Sequence, residues 1–389
     1  MYDEPVAANR ISALQPTAVN SILAEARVLQ GQGRSLISLM RGEPDFPTPQ
    51  HIAEAAIRAM RNGRTSYPEN RGEKNFREAV AQKLERDNHL KFDPATEVLA
   101  TTGATLGVYA ALMAILNEGD EVLLPDPIYD AYQSPIRMAG GRIKGVASQI
   151  HEARFVITED ALEQAWSPAA KAVVLNTPWN PVGTVLRRNE LAMIAAFCER
   201  RNLYLISDEI YETITFEGAV HVSPLEAAPG LRDRCVLVNS LSKTYSMTGW
   251  RVGYCAGPAP MIQAMLLVLA QSSRGPATFI QDAAAEALTG SQDCVGEMRR
   301  EYALRRAQVM EQLPGVIAPE GGFFAMVDVR ESGIPSDEVR KRLLHEQGVV
   351  VVHGSAYGEG GEGTLRVSFA SGGENLTRGL ELVRQGLAT

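Results

Sequence analysis

With 389 residues the chain is too long for one compact core, so two domains are expected. Its 45% hydrophobic and 22% charged residues are those of an ordinary globular protein. A net charge of −8 leaves no basic face for nucleic acid or an anionic membrane, and neither partner is expected.

The first residues, MYDEPVAANR, hold no basic stretch followed by an apolar one, so no secretion signal is read and a cytoplasmic location is expected. Residues 11–30 carry apolar positions at helical spacing, interrupted by Pro16, and read as an arm and first helix. The prolines of Arg41-Gly-Glu-Pro-Asp-Phe-Pro-Thr-Pro49 enforce an extended loop. Helices fit 50–61 and 73–87.

From residue 97 short apolar strands alternate with helices: strands 97–101, 121–125, 142–146, 171–176, 203–207, 235–239 and 252–256, and helices 104–116, 188–201 and 259–271. That rhythm argues for an α/β fold with a mostly parallel seven-stranded sheet. The apolar run Met261–Ala270 is about half of what spans a bilayer. A helical block follows at 277–312, then strands near 323–329, 349–352 and 364–369 and helices near 336–347 and 374–387. This last part reads as a smaller α+β unit to which both chain ends contribute. The division expected is 1–47 (arm and part of the small domain), 48–292 (large domain) and 293–389 (small domain).

Ligands of such sheets collect outside the C-terminal ends of the strands, and here those ends carry polar residues. Ala104 and Thr105, opening a helix after Thr-Thr-Gly, suit an anion, although the segment serves equally as a plain N-cap. Tyr129 stands ready to stack on a flat ring or simply to pack. Asn180, in a proline-fixed turn, can donate to an oxygen. Asp208 ends an apolar strand, where a buried carboxylate calls for a cation, and a protonated pyridine nitrogen would supply one; an N-cap aspartate is the plainer reading. Tyr211 lies three residues on.

The stretch Val238-Asn-Ser-Leu-Ser-Lys-Thr-Tyr-Ser-Met-Thr-Gly-Trp-Arg251 is the most pointed. A lysine just past a buried strand makes sense if its amine loses a proton and attacks a carbonyl. Ser240 and Arg251 beside Lys243 offer phosphate donors. A Schiff-base lysine with a phosphate site suggests pyridoxal phosphate. The same residues match the S-x-x-K of serine acyl-enzymes, but that family's companion motifs are absent. Gly358–Gly363 matches G-x-G-x-x-G yet precedes a strand, so it reads as a loop. The six histidines form no cluster, and Cys198, Cys235, Cys255 and Cys294 are far apart; no metal is expected, and the thiols read as free in a reducing compartment.

From the Gly42-Glu-Pro-Asp-Phe loop to Leu365-Arg-Val-Ser-Phe-Ala370, and most specifically in Ser207-Asp-Glu-Ile-Tyr and Ser240-Leu-Ser-Lys…Gly-Trp-Arg-Val-Gly, the sequence resembles the class I/II aminotransferases of pyridoxal-phosphate fold type I, the aspartate aminotransferase superfamily. Its latter half is similar to the bacterial aspartate, aromatic and arginine–pyruvate branches. The resemblance implies Lys243 as Schiff-base lysine and proton shuttle, Asp208 on the pyridine nitrogen, Asn180 and Tyr211 on the phenolate oxygen, and Tyr129 on the ring. It implies Ala104, Thr105, Ser240 and Arg251 on the phosphate. Tyr67 would reach the phosphate of a neighbouring subunit, which implies a homodimer with shared sites. Arg366 would clamp the substrate carboxylate beside Gly42. Two residues with which relatives read a distal carboxylate are replaced here by Ala104 and, by alignment, Leu269. Arg41, Arg71 and Arg274 are therefore the candidates for reading an anionic side chain, with pairing to Glu43, Glu69 or Glu73 as the alternative. The expected reaction moves an amino group between an L-amino acid and a 2-oxo acid; a lyase, a cyclase or a carbon–carbon bond-forming enzyme on the same scaffold is the alternative.

Overall fold

The computed structural model describes residues 16–388 together with Ala8, Ile11 and Leu14; the rest of the expected N-terminal arm lies outside the described residues. Nine longer helices are labelled: α1 Ala18–Gly31, α2 Gln50–Arg61, α3 Lys74–Asn88, α4 Ala104–Ile115, α5 Arg188–Arg201, α6 Ala259–Ala270, α7 Thr278–Thr289, α8 Asp293–Gln312 and α9 Gly373–Leu387. None of the described helices is long and apolar enough to cross a membrane.

All seven expected strands form and share one sheet: β1 Val98–Thr101, β2 Glu121–Asp126, β3 Arg142–Ala147, β4 Ala170–Asn176, β5 Tyr204–Asp208, β6 Cys235–Ser240 and β7 Gly253–Ala256, in the order β1-β7-β6-β5-β4-β2-β3. Successive strand residues point to opposite faces, and both faces are apolar. Leu123, Val173, Leu205 and Leu237 pack beneath α2, α3, α5 and α7. Their neighbours Leu124, Val174, Ile206 and Val238 pack under α4 and α6.

Only β7 runs antiparallel to its neighbours. The C-terminal ends of the other six strands therefore share an edge with the start of β7. Gly253 is opposite both Thr101 and Ser240 there. A Cβ on Gly253 would lie 2.6 Å from the Asn239 carbonyl and 3.2 Å from the Ala104 nitrogen, so the close approach requires glycine.

The second unit is a four-stranded antiparallel sheet, β8 Val316–Ile317, β9 Phe324–Asp328, β10 Val352–His353 and β11 Thr364–Ser368, ordered β8-β9-β11-β10 and covered by α8 and α9. Residues Ile37–Ser38 pair in parallel with Val349–Val350, which ties an early part of the chain to a late one. Leu365 and Val367 face its core. Arg366, between them, faces the other way. An aromatic chain runs from Tyr211, three residues past β5, into the second unit: Tyr211 meets Phe323 edge-on at 5.4 Å, Phe323 meets Tyr302 tilted at 5.6 Å and Tyr302 meets Phe46 edge-on at 5.4 Å.

The helical block 277–312 is broken into α7 and α8 at extended Gly290, where a Cβ would lie 2.7 Å from the Glu286 carbonyl. A short hairpin, Gln149–His151 with Arg154–Val156, was not foreseen; it turns through Glu152 and Ala153 at positive φ, without the usual glycine.

Behind β5 lies a buried polar cluster. Glu212 takes the Lys83 ammonium and the amides of Asn88 and Asn239, while Glu209 takes Ser207, Ser223 and His221. The sequence showed no histidine cluster, yet folding brings His221 within 4.8 Å of both glutamates. Their oxygens are already occupied by these donors. Burial pushes the Glu212 carboxyl up, but Lys83 and His221 outweigh it and hold it below its ordinary 4.5. Its contribution to stability is present above that value and is lost as pH falls through the lower folded one. Lys83→Met strands the carboxylate without its cation and should cost about 3–5 kcal/mol at neutral pH. A lower urea midpoint with an unchanged slope would be the measurement.

Candidate active site

At the shared strand edge, between the two sheets, lies a cavity of about 1170 Å³. The described residues around it include Arg41, Gly42, Ala104, Thr105, Tyr129, Asn180, Asp208, Tyr211, Lys243, Arg251 and Arg366. Eleven of the residues singled out in the sequence thus meet in one place.

At one end, α4 begins with its first backbone N–H groups toward the cavity. Its N-cap is Gly103, at φ +85°, and no side chain caps the helix. Thr101 and Thr102 are turned elsewhere, to the Gly103 carbonyl and to Ser273. A Cβ on Gly103 would lie 2.6 Å from Arg251 Nη2, so glycine makes room for the guanidinium. Arg251 donates to the Thr248 carbonyl at 3.0 Å and has no carboxylate partner among the described residues. An uncapped helix N-terminus beside an uncompensated arginine is an anion site.

Asp208 ends β5, buried. Tyr132 donates to its Oδ2 at 2.7 Å and the Ile210 N–H to Oδ1 at 3.2 Å. The carboxylate thus caps a turn and faces the cavity at once. Burial pushes its pKa up to about 6, against the donors that lower it. Tyr129 meets Tyr132 edge-on at 5.6 Å, and Tyr211 is buried across the cavity.

Lys243 lies in the short helical turn after β6 and donates to the Gly42 carbonyl at 2.5 Å. Burial lowers its pKa to about 8; Glu43 opposes that shift, and Arg251 adds to it. Facing it from β11, Arg366 is clamped between Phe324 and Tyr357, 4.1 and 4.8 Å from their ring centres. It donates to Asn180 Oδ1 at 3.2 Å and to the Met40 carbonyl at 3.4 Å, and its Nε has no partner. A buried guanidinium with no carboxylate of its own calls for one from a ligand.

Four expectations place differently. Ser240 is not on the cavity wall: its hydroxyl caps the following turn and donates to the Val252 carbonyl, and Ser242 lines the cavity instead. Arg71 is tied to the Thr96 carbonyl and to Gln263, away from the cavity. Arg274 stacks on Tyr67, which is 83% exposed, and neither residue lines the cavity of its own chain. Arg41 does line it, but pairs with Glu43 at 3.2 Å. Sequence reasoning missed Tyr132, whose signal was its three-residue spacing from Tyr129, and missed Ser242.

A desolvated lysine, a buried carboxylate, an anion cradle and a free arginine on an α/β sheet edge define an enzyme that handles a carboxylate-bearing amine through a Schiff base. The chain belongs to the class I and II aminotransferases: that family matches residues 34–381. It is 36% identical over 388 residues to the aspartate aminotransferase of Geobacillus stearothermophilus, covering 97% of this chain and 98% of that one. It is also 36% identical to aromatic-amino-acid aminotransferase 2 of Thermococcus litoralis, with 96% of each covered. The structure of Thermus thermophilus aspartate aminotransferase with maleate superposes with a TM-score of 0.92 at 36% identity, covering 98% of this chain and all of that one. These matches favour amino transfer over elimination, cyclisation or carbon–carbon bond formation.

The cofactor is pyridoxal 5'-phosphate, and the donor set fits it. The Gly103–Arg251 cradle suits its phosphate, the raised Asp208 its ring nitrogen and the depressed Lys243 its aldehyde.

In chain stripped of cofactor, an amine-directed reagent should label Lys243 with a midpoint at about pH 8, against the ordinary 10.5. A midpoint at the ordinary value would mean that the amine is not desolvated.

Proposed function

We propose that Lys243 holds the cofactor and shuttles the proton of this aminotransferase, while Arg366 orients the substrate through its carboxylate. The observation that carries this reading is the convergence of Lys243, Asp208, Arg251 and Arg366, from four separate strand ends or strands, on one cavity. Arg251 and the N–H groups of Ala104 and Thr105 would hold the phosphate, with Ser242 on the cavity wall and Ser240 hydrogen-bonded to it from behind. Asn180 and Tyr211 would serve the phenolate oxygen, Tyr129 the ring face and Asp208 the ring nitrogen. When bound, the cofactor supplies an electron sink for the substrate α-carbon.

The residues divide the remaining work. Arg366 presents its fork to the carboxylate, held in plane by Phe324 and Tyr357. That fixes the α-carbon relative to the Lys243 amine. An amine titrating at about 8 is close enough to neutral pH to take a proton from that carbon and return it. Tyr132 keeps Asp208 turned to the cavity, and a cation there would bring the carboxylate back to its charged form.

The wide exposure of Tyr67, away from its own cavity, supports a homodimer in which it completes the neighbour's site. The separate seven-stranded and four-stranded sheets support a division near residues 47 and 292. A cytoplasmic location is inferred with these.

The test is a half-reaction screen: purified protein mixed with single amino acids, the absorbance of the bound cofactor followed. Wild type should pass its absorbance to the amine form with some donors, and Lys243→Ala should lose the change by at least about four orders of magnitude. Arg366→Lys keeps the charge but loses the fork, and should raise KM for every donor about tenfold to a hundredfold. Turnover by Lys243→Ala close to wild type would sink the reading.

A further inference from the structure

One polar atom of the cavity wall has no hydrogen-bond partner among the described residues. Asp130 follows Tyr129, lines the cavity and is 8% exposed, and its Oδ2 is enclosed without a hydrogen bond. The other carboxylates of the wall are occupied. Glu43 takes Arg41 and Thr248; Asp45 takes Arg305 and the Gly372 N–H; Asp208 takes Tyr132 and the Ile210 N–H.

Among the described residues no cation makes an ion pair with Asp130. The Thr17 hydroxyl, at the head of α1, hydrogen-bonds the carboxyl but brings no charge. Arg366 acts on it only at a distance and makes no ion pair with it; its donors go to Asn180 and Met40. Val19 and Leu23 of α1 and Ala131 make the surrounding wall apolar. An anionic acceptor in such a wall favours a cation and repels a carboxylate. The two residues of this wall that could have drawn a distal carboxylate do not: Ala104 carries no charge, and Arg41 is held by Glu43.

We propose that Asp130 selects the amino donor by accepting a hydrogen bond from an ammonium or guanidinium at the end of its side chain. The preferred donors are then basic amino acids. This inference rests on the aminotransfer reading above and names the substrate class of that site.

The test has two arms on the cofactor-loaded protein. In the first, kcat/KM is compared for arginine and lysine, for leucine and phenylalanine, and for aspartate and glutamate. Wild type should favour the basic donors. Asp130→Asn, which keeps the shape, should lower their kcat/KM about tenfold to a hundredfold, mostly through KM, and leave the apolar donors within about twofold. Asp130→Glu should recover part of the loss. The second arm needs no turnover: calorimetric binding of a guanidino carboxylate lacking the α-amino group, against an alkyl carboxylate and a dicarboxylate of matched length. Asp130→Asn should weaken the first alone.

A wild type that prefers apolar or acidic donors would overturn the proposal and leave the aminotransfer reading standing. So would equal losses on all donors in Asp130→Asn, which would make the residue a support for Arg366. No absorbance change with any amino acid would sink both.

Discussion

A carboxylate buried at the end of a central strand is the constraint around which this site is built. Asp208 lies where the sheet excludes water, and its charged form is costly there unless a cation arrives. Among the described residues no cation stands at contact distance, and the donors to it are the Tyr132 hydroxyl and one backbone N–H. Lys243, on the adjacent strand end, carries the opposite burden, since burial makes its charged form the costly one. Two groups pushed toward neutrality from opposite sides leave a site ready for a bound partner that restores charge to the first and bonds to the second.

The topology of the sheet makes that arrangement possible. Six strands end on one edge, and the single reversed strand, β7, begins there. Arg251 immediately precedes β7, so reversal is what returns it to the edge where α4 begins. Had β7 run parallel, its arginine would have been left at the opposite side of the sheet. The glycines at 103 and 253 then allow backbone and guanidinium to approach within distances that a side chain would forbid.

Arg366 reaches the cavity by a different route. It is on the middle of the small sheet, on the face opposite Leu365 and Val367, and the strand Ile37–Ser38 binds the early loop against that sheet. The same loop brings Gly42 to Lys243 and Arg41 to Glu43. Arg366 and Lys243 thus come from separate sheets, and Tyr211, three residues past β5, packs edge-on against Phe323 of the smaller unit.

Sequence alone determined the seven strands, since burial on both faces writes them as short apolar runs between helices. It also determined the residues at their ends, because a lysine, an aspartate or an arginine next to such a run has no packing reason to be there. What it left open was direction and reach. Ser240 and Ser242 are indistinguishable in the chain; in the fold the Ser240 hydroxyl turns back to Val252 and Ser242, and of the two residues Ser242 lines the cavity. Arg71 and Arg274 read like Arg41 as cations beside the expected substrate wall, yet long side chains go where tertiary acceptors are, here Thr96, Gln263 and the ring of Tyr67. Asp130 drew no reading from the sequence; folding encloses its Oδ2 without a hydrogen-bond partner among the described residues. Local pattern reports which groups are buried; only the packed chain decides what each of them faces.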